Sequence, residues 1–201
     1  MPKVGMEDIR RKSLISATLK TIQERRSIDI RVSDIARAAG VSSGLAHHYF
    51  GSKDRLILAA LRHLLTDFRR LVLRRLAEAD SPRQKLSALI ASSLDETQFS
   101  DATVTAWLVF YAHAQSTPEA RNLLRVYVRR LQSNLCYNLR PLVGNRAPEI
   151  AEMIGSLIDG LYLRQALRVE KADAAFARTL IENCLNRFLD TAPMEGQDHA
   201  V

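Results

Sequence analysis

Residues 35–57, IARAAGVSSGLAHHYFGSKDRLI, constrain the fold of this chain more than any other stretch, because they spell two short helices joined by a glycine-centred turn. Ile35 and Ala36 offer a narrow inner face, Gly40 can take the left-handed backbone that ends a helix, and Ser42 can cap the next. The small side chain of Ala36 lets the second helix approach closely. Ala46 and Phe50, four apart, share one face and are expected to point inward. Ser43, Gly44, Leu45, His47, His48 and Tyr49 then lie on the open surface and its flanks. Gly51, Ser52 and Lys53 read as a turn, a cap and a first-turn cation ahead of a long amphipathic helix. This is a helix-turn-helix, whose second helix suits the major groove of DNA.

The charge distribution agrees. Residues 1–70 carry 14 Lys and Arg against 7 Asp and Glu, whereas residues 71–201 carry 15 against 15, so the whole net charge of +7 sits in the first third. A basic excess alone is usually a solvated face; beside a helix-turn-helix it reads as an attraction for the phosphate backbone. No Arg, Asn or Gln lies between Val41 and Phe50 to make a bidentate base contact. Gly44 permits close backbone approach, Leu45 suits a thymine methyl, and Ser43 can bond several base edges. His47, His48, Tyr49 and Lys53 suit phosphates, so part of the selectivity is expected from DNA shape. Lys3, Arg10, Arg11 and Lys12 form an amino-terminal arm that either reaches a neighbouring groove or is a solvated helix start.

Punctuation predicts an all-α chain of about nine helices. The first runs from about Glu7 to Arg25, with Leu14, Ile15, Thr18, Leu19 and Ile22 as its buried stripe, and the fourth from about Lys53 to Ala79. Ser81-Pro82 and Thr117-Pro118 each put a capping hydroxyl before a proline at the first helical position, and Ser100 marks another start. Pro141, Gly144 and Pro148 enclose an expected break before a final antiparallel pair, Ile150 to Arg168 and Ala172 to Leu189. That pair carries Ile154, Leu157, Ile158, Leu161, Leu180, Ile181, Leu185 and Phe188, enough apolar surface for a four-helix contact between two copies, although intramolecular packing fits the pattern equally. The expected division is a DNA-binding region at 1–52, a ligand-sensing and dimerisation region at 53–192 and a flexible tail at 193–201.

No Gly-rich phosphate loop, nucleophile elbow or metal-ligand spacing appears, so an enzyme is not expected, and neither is a cofactor. His47 and His48 point about 100° apart on a helix and lack the spacing of a chelating pair. Cys136 and Cys184 are isolated and read as free thiols. With no apolar leader, and no apolar run near the roughly 20 residues that span a bilayer, a cytoplasmic protein is expected.

The run Gly-Val-Ser-x-Gly at 40–44, followed by aromatics, Phe50 and Lys53, resembles the TetR family of bacterial one-component repressors. The stretches MPKVGMEDIRRKSLISATL, LAHHYFGSKDRL, LDETQFSDATVTAWLVFYA and SLIDGLYLRQALR are similar to the choline-responsive members of that family that repress glycine betaine synthesis. The resemblance implies a homodimer on an inverted repeat of operator DNA, released or modulated by choline. It also marks departures. Arg31 stands where a hydroxyl residue usually caps the second helix, offering a longer contact to phosphate, and His47 stands where many relatives carry tyrosine.

A neutral carboxy-terminal region is free to sense a ligand. Phe99, Trp107, Phe110, Tyr111, Tyr127 and Tyr162 are its candidate aromatics, with Trp107 and Tyr111 four apart on one helix. Choline, which the resemblance implies, has no proton on nitrogen. It calls for aromatic faces, a nearby carboxylate from Asp95, Glu96 or Asp159, and a polar partner for its hydroxyl. On the residues alone, Trp107 and Tyr111 read as ordinary core. The competing readings are a repressor of the same type answering another cationic or hydrophobic compound, which a ligand screen separates, and a ligand-free helical interaction protein, which operator binding excludes.

Overall fold

A computed structural model of the chain describes residues 5–168, 170 and 173–190, which hold nine α-helices, one 3-10 turn and no strand. The helices are α1 (Met6–Arg25), α2 (Val32–Ala38), α3 (Ser43–Phe50), α4 (Lys53–Ala77), α5 (Pro82–Ser93), α6 (Asp101–Ser116), α7 (Pro118–Val143), α8 (Ala147–Ala166) and α9 (Ala174–Asp190). The tail expected to be flexible from residue 193, together with Lys3 of the arm, lies outside the described residues.

Two compact units divide the chain. One comprises Met1–Arg69 and Ser100–Tyr127, the other Arg70–Phe99 and Val128–Val201. The helix-turn-helix therefore shares its unit with α6 and the start of α7, a grouping by packing rather than by the division at residues 52 and 53. Within it α6 lies against α1, and α2 against α1 and α3. Leu14, Thr18 and Ile22 of α1 are fully buried, joined by Ala17 and Thr21, while Ile15 and Leu19 of the expected stripe are only half-buried. Small and hydroxyl side chains take the inner face because Thr18 and Thr21 bond back to the carbonyls of Leu14 and Ala17, at 2.7 and 2.8 Å, and so bury without loss.

In the second unit α5 and α8 pack on α9. The start of α5 is a capping box: Ser81 Oγ accepts from the Gln84 amide at 3.2 Å, and Gln84 Oε1 accepts from the Ser81 amide at 3.1 Å. Arg83 then ties α5 to α9, donating to Glu182 Oε2 at 2.8 Å and Asn186 Oδ1 at 2.6 Å.

The break expected from Pro141 begins later. Helix α7 runs through Pro141 to Val143, and the 3-10 turn Gly144–Arg146 leads into α8 with Pro148 in its first turn. A proline removes one bond to the carbonyl four residues back; in the last turn that is a small loss, and the left-handed φ of +57° at Gly144 ends the helix instead.

Candidate DNA-reading surface and effector site

The helix-turn-helix is built by local rules. Gly40, at φ +69°, closes α2, with the Val41 amide donating to the Ala36 carbonyl at 2.9 Å. Ser42 caps α3 by accepting from the Leu45 amide at 3.2 Å, and Ser52 Oγ accepts from the Arg55 amide at 3.2 Å at the start of α4. Ala46 and Phe50 are buried, while Ser43, Gly44, His47 and His48 are exposed and Leu45 and Tyr49 half-exposed. The open face of α3 and its flanks thus present the six residues expected there.

Arg31 occupies the cap position of α2 in extended backbone and makes no capping bond, leaving its exposed guanidinium directed to no helix amide. Lys53 lies 3.6 Å from Asp29, whose side chain is wholly exposed, so the pair is readily broken in favour of a phosphate. A Cβ on Gly44 would meet nothing nearer than Ser42 Oγ at 4.0 Å. The fold does not need a glycine there, and a glycine inside a helix costs about 0.5–1 kcal/mol relative to alanine. Its bareness leaves the outside of α3 open to close approach.

Arg11 is neither a free arm residue nor a solvated one. Its Nη1 donates to the Tyr49 carbonyl at 2.9 Å and its guanidinium stacks 4.8 Å above the Phe50 ring, bracing the end of α3 from α1. The spacing 11, 14, 18, 22 places Arg11 on the buried face of α1 and is the signal that identifies it. Arg10 and Lys12 are exposed.

Four rings from three helices meet in the same unit: Phe68 of α4, Trp107 and Tyr111 of α6, and Tyr127 of α7. Trp107 lies 5.0 Å from Tyr127 at 33°, 6.0 Å from Tyr111 at 44°, and 6.5 Å from Phe68 edge-on at 89°; Phe68 and Tyr127 are 5.4 Å apart. Trp107 is 2% exposed, and its Nε1 is buried with no hydrogen-bond partner among the described residues. Phe68 had no functional mark in the sequence, where it reads as one more apolar position of a long helix. Phe110 is wholly buried. His113, also on α6, meets Thr117 Oγ1 at Nδ1, 3.3 Å away; burial pulls its pKa down, opposed by the Asp54 carboxylate and aided by the Lys53 ammonium.

Phe99, Tyr162, Asp95, Glu96 and Asp159 belong to the second unit. Phe99 and Tyr162 meet edge-on at 5.4 Å, and Tyr162 Oη donates to the Ser93 carbonyl at 2.5 Å. Asp95 is paired with Arg75 and accepts from the Thr97 amide at 3.0 Å. Burial pushes its carboxyl up, but the bonds from Thr97 and the Arg75 charge more than reverse this and hold it below 3.8. It is not an unopposed charge for an ammonium. Glu96 and Asp159 are exposed.

Helices α8 and α9 also differ from the expected assignment. Ile154, Ile158, Leu161, Ile181 and Leu185 are buried within the chain, so they leave no surface for a second copy. Of the expected set, Leu157 of α8 and Leu180 and Phe188 of α9 stay open; Leu180 and Phe188 form a stripe with Phe176 and Cys184 at successive four-residue steps of α9, beside Leu157 and Met153 of α8. Met153, Leu157, Cys184 and Phe188, with Glu149, Glu152 and Ser156, line an open groove of about 730 Å³. Both helices are apolar on two sides, and packing decides which side turns in.

Residues 14–60 match the bacterial regulatory proteins of the tetR family, and residues 82–190 match the BetI-type transcriptional repressor C-terminal family. The chain is 49% identical over 184 residues to the HTH-type transcriptional regulator BetI of Brucella melitensis biotype 2, covering 91% of this chain and 93% of that protein. It is 48% identical over 198 residues to BetI of Agrobacterium fabrum, covering 98% and 96%. Among solved structures, a transcriptional regulator from Pseudomonas aeruginosa PAO1 superposes with a TM-score of 0.79 at 24% identity, over 90% of this chain and 91% of that one. A transcriptional regulator from Saccharomonospora viridis, in complex with choline, superposes with a TM-score of 0.78 at 21% identity, over 88% and 95%. A helix-turn-helix head, an all-helical remainder and these relatives lead to one conclusion: the chain belongs to the TetR family of DNA-binding transcriptional regulators, as a repressor of the BetI type.

Proposed function

We propose that this repressor answers choline and controls genes that convert choline to glycine betaine, and that the ring cluster of Phe68, Trp107, Tyr111 and Tyr127 is where the effector is felt. That cluster is the observation carrying the reading. Four aromatic faces from three helices suit a quaternary ammonium, which offers no proton to hydrogen-bond and is held by ring quadrupoles, at about 0.5–2 kcal/mol for each face. The choline complex of the Saccharomonospora viridis regulator, a protein of the same fold, supports the choice of effector. Because the rings touch one another, the cation enters by spreading them, which is how a small ligand comes to move helices.

Residues 1–52 meet DNA in this reading. Ser43, Gly44 and Leu45 approach base edges, and Arg31, Ser42, His47, His48, Tyr49 and Lys53 hold the backbone. Residues 53–192 sense the effector and pair two copies through the open stripe of α8 and α9, setting two heads on an inverted repeat. Two physical routes join cluster and reader. Phe68 sits on α4, the helix that begins at Lys53, directly after α3. Trp107 sits on α6, which packs on α1, and α1 holds α3 through Arg11. An effector that favours the spread arrangement weakens operator binding by its differential affinity for the two states, and no more.

Calorimetric titration with choline and with its uncharged carbon isostere, 3,3-dimethylbutan-1-ol, tests the choice of ligand. Choline is expected to bind at least about tenfold tighter, a difference of about 1.4 kcal/mol that a cation over aromatic faces supplies. Equal binding of the two would instead identify a repressor answering hydrophobic compounds.

A further inference from the structure

We infer that the indole N–H of Trp107 is the donor that reads an oxygen of the effector, so that the site selects a quaternary ammonium bearing a hydroxyl or carbonyl over one bearing none. This rests on the ring cluster being the effector site.

Indole nitrogen is a donor only, and buried indoles ordinarily find an acceptor. Trp107 does not: its Nε1 is sealed from solvent without a partner among the described residues. Three rings, those of Phe68, Tyr111 and Tyr127, pack against the indole, and none of them accepts from this N–H. Burying an unpaired N–H is unfavourable. Phenylalanine at position 107 would keep an aromatic wall and avoid that cost, so packing within the chain gives no reason for the nitrogen. A ligand that brings an acceptor oxygen among the rings does. It satisfies the one polar atom of the indole at the moment its cation meets the faces, and a donor-only group rejects any ligand that presents another donor in that place.

Calorimetry with choline and ethyltrimethylammonium, which has the same cationic head and no oxygen, decides the matter on the unaltered protein. Choline is expected to bind about tenfold tighter, and Trp107→Phe is expected to bring that ratio close to one. A wild-type ratio near one, or a gap that survives Trp107→Phe, would overturn the role of the nitrogen while leaving the cluster as the cation site. Failure of both compounds to bind would overturn the underlying reading and this inference with it. Should the variant not fold, Tyr111→Phe and Tyr127→Phe decide in its place: each is expected to keep the roughly tenfold gap, and loss of the gap in either would assign the oxygen to a phenol and overturn the role of the nitrogen.

Discussion

Gly44→Asp is expected to abolish specific operator binding, by at least about a hundredfold, while leaving the fold intact or slightly more stable. Position 44 is the second residue of α3, on the exposed face, where an added Cβ meets only Ser42 Oγ, at an unstrained 4.0 Å. An acidic side chain in the first turn favours a helix by about 0.3–1 kcal/mol, because it faces the partial positive charge of the unpaired amides, and losing a glycine helps further. The same carboxylate at the DNA surface keeps α3 away from the groove and sets a negative charge against the phosphates, a mismatch of several kcal/mol. Melting temperature and operator affinity should therefore move in opposite directions. Retained affinity in a folded Gly44→Asp protein would show that α3 is not the reading helix.

The second large effect is that of Trp107→Ala. Removing a buried tryptophan costs about 3–5 kcal/mol of stability, a large share of the roughly 5–15 kcal/mol that holds a domain of this kind. The comparison therefore belongs well below the variant's melting temperature. There, operator affinity without effector is expected to change little, since the rings lie on α4, α6 and α7 and not on α3. Choline affinity is expected to fall about thirtyfold, as the central ring of the cluster and its N–H are both lost. If operator affinity and choline affinity fell together in folded protein, the cluster would be holding the reader in place and not sensing choline.

What was legible in the sequence is what local rules determine. Gly40, Ser42, Ser52, Ala46 and Phe50 declare the helix-turn-helix because left-handed backbone, side-chain caps and four-residue spacing act within one turn. Ser81, Ser100 and Pro118 announce their helices for the same reason. Pro141 misleads because the cost of a proline depends on how much helix remains beyond it, and here only two residues do. Arg11 was hidden by its charge: a cation among Arg10 and Lys12 reads as arm, although its spacing to Leu14 places it on the inner face.

The ring cluster was legible in part. Trp107 and Tyr111 share a face of α6 by spacing alone, whereas Phe68 and Tyr127 join them only through packing of helices distant in sequence. Arg75, twenty residues before Asp95, removes that carboxylate from the pool of free charges, and no periodicity reveals such a pair. On α8 and α9 the apolar residues outnumber what one face needs. Sequence therefore predicts an interface but not which stripe forms it.

The measurement that tests the central claim most directly is fluorescence anisotropy of a labelled duplex taken from just upstream of this protein's own gene cluster, titrated with the full chain at two salt concentrations, with and without millimolar choline. The account predicts tight binding that weakens steeply with salt, as counterion release requires, and that choline weakens further. Tight binding indifferent to choline would contradict it.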